Sequence, residues 1–396
     1  MPDKAKMLKL AKLVYNKPLV LTLYFGLSLF AVVKSVLLNH IHDNYFVYKS
    51  GFINVIHRHT TFGLLRGPAH DSYHYGPVFS LLMAPFALLP DGVGVILWVT
   101  FNAWVLYTAI KLLPLKENGY LPVLLICAHE LMTSSSNVEI NPLIGALIIL
   151  SFIFIRDKKD FWAAFVIILG TFIKLYGIVG VAFFFLSKDK PKFILSLLFW
   201  SAVLFVLPMF ISSPSYILKT YHDWYGDLVT KNLNNTGPSL QDISVMGLIR
   251  NIFNYRQLSN ITVLVPGILL FAVWYIRVKF YNVVPYQLLL LASTLIFVII
   301  FSSSSESPTY IIAVAGVGIW FMNLERPVTP LETVLLVLAL ILTILSPSDL
   351  FPRYIRVNYV IPYKLKALPC VLIWLKIIYG MLTRKFDNKR FQVESN

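Results

Sequence analysis

Residues 39–90 read NHIHDNYFVYKSGFINVIHRHTTFGLLRGPAHDSYHYGPVFSLLMAPFALLP. One apolar segment precedes them, and nearly everything after them is more apolar segments. This stretch alone concentrates His42, Asp43, Asp71 and His74 with Arg58 and Arg66. Its last part, residues 77–89, is apolar but about 13 residues long, short of the ~20 that a crossing helix needs. Pro77, Pro85 and Pro90 punctuate it. If 77–89 crosses a bilayer, every later loop changes sides, so this piece sets the topology of the chain.

The chain has 396 residues, 57% of them hydrophobic and 13% charged, with a mean hydropathy of +0.72. A soluble domain carries about 25% charged residues. A chain this apolar is an all-α integral membrane protein, and long uncharged windows such as Pro18–Val33, Phe193–Ile211 and Tyr286–Phe301 agree. The net charge of +15 does not point to nucleic acid, because Lys and Arg cluster briefly between apolar segments, as in cytoplasmic loops. The two cysteines, Cys127 and Cys370, lie within apolar segments, so neither a disulfide framework nor a zinc spacing is present.

Lys4, Lys6, Lys9, Lys12 and Lys17 place the N-terminus in the cytoplasm. Residues 18–38 then cross outward. With 77–89 kept outside as an interfacial or re-entrant helix, the Arg156–Lys159 cluster falls inside, and so do Lys188, Lys190 and Lys192 if 161–186 is two short helices meeting near Lys174. Residues 212–260 form a long outer loop, and 302–308 and 346–366 are outer as well. This gives a bundle of about twelve transmembrane helices, several of them short, as is tolerated where broken helices line a watery cavity. Both termini are cytoplasmic. One membrane domain covers 1–385, its first outer loop (39–91) carries juxtamembrane helices, and a cytoplasmic tail covers 386–396.

Asp43 lies just past the outer end of the first span. A carboxylate beside aromatic residues at the membrane surface is partly desolvated, a setting suited to a general base. The competing reading is a helix N-cap, with the helix starting at Asn44. Asp71 is a weaker second carboxylate, with a turn role as its alternative. Tyr45, Tyr48, Tyr73 and Tyr75 offer aromatic faces on which a ligand ring could stack, and His57 and His59 read as surface residues of an amphipathic helix.

An Asp at the exit of the first span followed by Tyr45-x-x-Tyr48, then Tyr75-x-Pro77-x-Phe79 leading to Pro85-Phe-Ala-Leu-Leu-Pro90, resembles glycosyltransferase family 87. Further pieces agree in order. Asn137-Val-Glu-Ile-Asn141-Pro resembles the family's Gly-Gln-x-Asn turn, and Phe172-Ile-Lys174-Leu-Tyr-Gly its Lys-Pro-Tyr segment. Asn235-Thr-Gly-Pro-Ser239-Leu with Gly247-Leu-Ile-Arg250 resembles its Asn-x-Ser…Gly…Arg loop. The chain departs from the pattern at Gly76-Pro77 for Pro-Pro, at Glu139 for Gln, and at 302–310, which lacks the His often found there.

The resemblance implies a GT-C type enzyme of the cell membrane with its active site on the extracytoplasmic side. It would move a hexose, mannose in particular, from a polyprenyl-phosphate sugar to a glycolipid or cell-envelope glycan acceptor. Asp43 would be the base in an inverting displacement at C1. The leaving phosphate needs cations rather than an acid, and Lys174, Arg250, Arg353 and Arg356 are the candidates. Headgroup contact for the arginines, and a lysine snorkelling from one longer helix for Lys174, are the plainer alternatives. Tyr48, Asp71, His74, Tyr75, Glu139, Asn141 and Glu306 are candidates to bind sugar or acceptor. No metal and no cofactor are implied. Two other classes fit parts of the pattern. A transporter or flippase of about twelve spans would show mid-membrane ionisable residues, for which only Lys174 and Glu130 qualify. An oligosaccharide ligase would use a diphosphate-linked donor.

Overall fold

The computed structural model describes residues 12–62, 72–235 and 241–388, apart from the side chain of Asn234. Asp71 and Ser239 lie outside the described residues, as do Lys4, Lys6, Lys9 and most of the tail. Among the described residues the chain is helical, with no β-strand. Among the described residues, four helices are long and apolar enough to cross a membrane: Lys17–Leu37, Asp91–Lys111, Lys190–Phe210 and Leu365–Thr383. Eight more apolar helices are only 10–17 residues long, Pro77–Ala87 among them. Of the about twelve spans expected, several of them short, four have the length of a full crossing.

The chain forms two compact units, one of Met1–Leu27, Ile110–Thr133 and Thr236–Asn396, the other of Ser28–Ala109 and Ser134–Asn235. In the second unit, helix Asp43–His57 starts one residue earlier than the capping alternative required. His42 is its N-cap, with Nδ1 accepting from the Asn44 N–H at 3.2 Å. Asp43 is therefore the first helical residue, where the unsatisfied N–H groups and the helix dipole favour a negative charge. The helix ends at Arg58 in the left-handed region, so His59 lies beyond it, stacked on His57. Its inner face, Tyr45, Val47, Tyr48, Phe52 and Val55, packs on helix Pro77–Ala87. The Tyr45 hydroxyl donates to Phe86 O at 3.1 Å.

Segment 161–186 breaks where the charge pattern asked it to. Helix Asp160–Ile173 stops at Lys174, whose φ of −149° and ψ of 125° are extended, and Leu175–Leu186 continues as a 3-10 helix. The two arms pack together, and a Cβ on Gly177 would sit 2.3 Å from the Gly170 carbonyl carbon. Fourteen α-helical residues rise about 21 Å and twelve 3-10 residues about 24 Å, each below the ~30 Å of a hydrocarbon core. Helix Pro77–Ala87 docks at the break: the Gly76 N–H donates to Ile173 O at 3.2 Å.

Residues 212–260 are more ordered than a loop. They contain helix Pro214–Asn234, capped by Ser213 with Pro214 in its first turn, and helix Val245–Ile252, capped by Ser244. The Ser-Pro start signal was present in the sequence, but the polar composition masked it. In the first unit, Val284–Ile300 and Ile311–Met322 are buried along most of their length and pack on each other and on Leu368–Thr383. Trp374 donates to Ser293 Oγ at 3.0 Å.

Candidate active site

In the second unit, three motifs, the first more than 90 residues before the second and the second 33 residues before the third, meet in one polar chain of hydrogen bonds. Asn44, beside Asp43, donates from Nδ2 to Asn137 O at 2.8 Å and to Glu139 Oε1 at 3.2 Å. Glu139 Oε2 accepts from Asn141 Nδ2 at 3.0 Å. Asn141 Oδ1 in turn accepts from Lys174 Nζ at 3.0 Å. The helix Tyr120–Ser136 delivers Glu139 through a tight C-terminal turn. Val138 N–H donates to Ser135 O and Glu139 N–H to Ser134 O, the double bond pattern that glycine usually serves. Here buried Val138 holds the left-handed position at φ 53°, which is rare for a β-branched residue. Such strain tends to persist where surrounding packing enforces it.

The Asp43 carboxylate is half-buried and makes no hydrogen bond or ion pair among the described residues. Lys174 is also half-buried, with its ammonium 4.9 Å from the Tyr176 ring centroid. An unengaged carboxylate can take a proton, and an ammonium held by a neutral amide keeps its charge available for an anion.

The tyrosines divide. Tyr45, Tyr48 and Tyr73 are essentially fully buried, which removes them as sugar-stacking platforms. Tyr48 is walled in by Tyr75, Phe79 and Trp98, with its hydroxyl 3.2 Å from that of Tyr75. Burial raises the Tyr45 phenol to about 12 and pushes the Tyr48 and Tyr73 phenols well above the usual tyrosine value, so all three stay neutral. Tyr75 alone of the four is partly exposed.

His74 gains a partner that sequence reading missed. Its Nδ1 lies 2.7 Å from Asp227 Oδ2, on helix Pro214–Asn234, and Trp224 Nε1 donates to the His74 carbonyl at 3.2 Å. A carboxylate on Nδ1 orients the imidazole and leaves Nε2 as the outward proton acceptor. Asp227 escapes sequence reading because the polar stretch that carries it has the composition of a loop.

The remaining candidates belong to the first unit. Arg250 is 2% exposed and fully engaged: NH1 donates to Asp242 Oδ2 at 2.6 Å, and NH2 to Leu258 O and Asn260 Oδ1. Its fork holds this loop together, since the Asp242 and Ile243 N–H groups donate to Ser303 O and Ser305 O. Arg356 donates to Pro347 O, Ser348 O and Asp349, whereas Arg353 is exposed. Glu306 starts the turn Ser307–Tyr310, its N–H donating to Thr309 Oγ1. Nearby, Lys366 Nζ donates to Glu130 Oε1 and to Ser307 Oγ, each at 2.9 Å. This ion pair is almost wholly buried, and its lysine went unremarked in the sequence. Among the described residues no three His, Cys, Asp or Glu side chains are grouped as a metal site would require.

Comparison with curated proteins returns no match. A family model matches residues 73–304, more than half of the chain. The match takes in His74, Glu139, Asn141, Lys174 and Arg250, and it begins beyond Asp43. A helical membrane protein with this polar chain and a match of this extent belongs to glycosyltransferase family 87.

Proposed function

We propose that the protein transfers a hexose, mannose by the family resemblance, from a polyprenyl-phosphate sugar to a lipid-linked or cell-envelope glycan acceptor. The reaction takes place on the extracytoplasmic face and inverts the configuration at C1. Asp43 takes the acceptor hydroxyl's proton as that oxygen bonds to C1, and polyprenyl phosphate departs with the bonding pair. The single observation behind this reading is the Asp43 carboxylate, without a hydrogen bond or ion pair among the described residues, one residue from the chain Asn44–Glu139–Asn141–Lys174. Lys174 is the cation assigned to the leaving phosphate, because Arg250 is already spent on Asp242 and because developing charge calls for a preorganised donor.

The test uses purified protein with polyprenyl-phosphate-mannose and glycolipid acceptors. Asp43→Asn is expected to bind donor normally and to lose about 10²–10⁴-fold in turnover, the usual worth of a general base. Retained turnover in Asp43→Asn overturns the assignment. A second reading rests on the His74–Asp227 pair, which has the geometry of an oriented base. If His74→Gln abolishes turnover and Asp43→Asn does not, the base is His74. Competition between monophosphate- and diphosphate-linked lipids separates a transferase of this kind from an oligosaccharide ligase.

A further inference from the structure

The first unit contains a cavity of about 550 Å³ that none of the candidate site residues lines. Its apolar wall includes Leu289, Trp320 and Ile377. Its cations are Lys116 and Arg326, in short loops that the alternation of spans sets on the cytoplasmic side, Lys376 midway along the last helix, and Arg384 and Lys385 just past that helix's end, next to the tail expected in the cytoplasm.

The charges do not cancel. Buried Glu332 is consumed locally, with Oε1 accepting from Arg384 NH2 at 2.9 Å and Oε2 from Thr329 N and Oγ1. Glu325 and Asp387 line the cavity too, and each already interacts within the protein. Lys116, Arg326, Lys376 and Lys385 make no ion pair among the described residues. Arg326 instead lies over the Phe321 ring and Lys376 over that of Tyr379.

One acceptor also awaits a donor. Asn323 gives its Nδ2 to Pro285 O at 2.7 Å, but its Oδ1 is buried without a partner. A buried acceptor left unsatisfied costs free energy that a ligand hydroxyl would recover. Exposed Leu331 and Leu382 stand on the two helices that supply Glu332 and Lys376.

We propose that this cavity binds the phosphate of an anionic phospholipid whose headgroup carries a hydroxyl. The phosphate meets the cations, the hydroxyl donates to Asn323 Oδ1, and the acyl chains continue along the exposed apolar helix faces. Basic pockets between membrane helices on the cytoplasmic side recognise anionic headgroups in this way, and the volume suits a ligand of that size. The proposal is independent of the transferase reading and stands whether or not that reading holds.

The experiment is native mass spectrometry and thermal melting of delipidated full-length protein in detergent. The probes are dioleoylphosphatidylglycerol, dioleoylphosphatidylcholine and inorganic phosphate. Phosphatidylglycerol is expected to remain bound and to raise the melting temperature, and phosphatidylcholine to do neither. The double variant Arg326→Gln/Lys376→Gln should bind phosphatidylglycerol at least about tenfold more weakly, the worth of a lost charge-assisted bond, while Lys376→Arg keeps the affinity. If the double variant unfolds without lipid, the exposed Lys116→Gln gives the same reading. Stabilisation by inorganic phosphate alone, lost in the same variants, upholds the phosphate site and assigns it a soluble source. Equal binding of phosphatidylglycerol by wild type and variants, or equal binding of phosphatidylcholine, overturns the proposal.

Discussion

Glu139 accepts two amide donors at once, Asn44 Nδ2 on one oxygen and Asn141 Nδ2 on the other. A carboxylate has only acceptors, whereas a glutamine offers one oxygen and one NH2. Asn141 has no freedom to turn its amide over, because its Oδ1 is already the acceptor for Lys174. The local hydrogen bonding thus explains why this chain departs from the Gln of the family turn. Glu139→Gln should set two NH2 groups against each other and cost about 1–3 kcal/mol, read as a lower melting temperature, with a fall in turnover. Unchanged melting would show that the network rearranges freely. Lys174→Met should raise KM for the donor or lower kcat more than it lowers the melting temperature. An effect confined to stability would remove Lys174 from phosphate binding.

Among the elements, the break at Lys174 and the short helix Pro77–Ala87 depend on each other through contacts that only glycine permits. A Cβ on Gly76 would lie 1.9 Å from Phe172 O. The helix after it could then no longer dock at the end of Asp160–Ile173. Gly76→Ala should destabilise the second unit by roughly 1–3 kcal/mol, as overpacking does, and Gly177→Ala should do the same by separating the two arms of the 161–186 pair. Thermal melting of the purified variants checks both, and a wild-type melting temperature for either would refute the close packing. The sequence made the break legible through charge, since a single helix over 161–186 would set Lys188, Lys190 and Lys192 on the outer side. It did not make helix Pro214–Asn234 legible, because that helix is polar on most sides and its partner contact, Asp227 to His74, spans 153 residues.

For the molecule as a whole, buried charge and sidedness are the quantities to measure. Glu130 and Lys366 neutralise each other with almost no exposure. Removing one charge leaves the other buried alone, at about 3–5 kcal/mol. Glu130→Gln should therefore unfold at lower temperature than wild type, and adding Lys366→Met should recover part of the loss. A double variant as unstable as the sum of two single ones would refute the pairing. Sidedness is open to labelling, because native Cys127 and Cys370 are buried and silent. Cysteine at exposed Ser215 should react with a membrane-impermeant maleimide in intact cells, and cysteine at exposed Arg326 only after permeabilisation. The opposite pattern would invert the topology.

By itself the sequence determined that this is a helical membrane protein, where its apolar segments begin and end, and which residues carry the family pattern. Those properties are local: they follow from composition, from prolines and glycines at segment ends, and from lysines between them. Only the tertiary structure decided what each polar side chain does. It committed Arg250 to Asp242, closed Tyr48 inside an aromatic cluster, gave His74 its carboxylate and left the Asp43 carboxylate without a partner among the described residues. Hydrogen bonding and burial depend on neighbours that are distant along the chain, and spacing in sequence carries no record of them. The stretch 39–90 supplies one end of the candidate site, and residues 137–141 and 174 complete it through bonds that exist only once the second unit is folded.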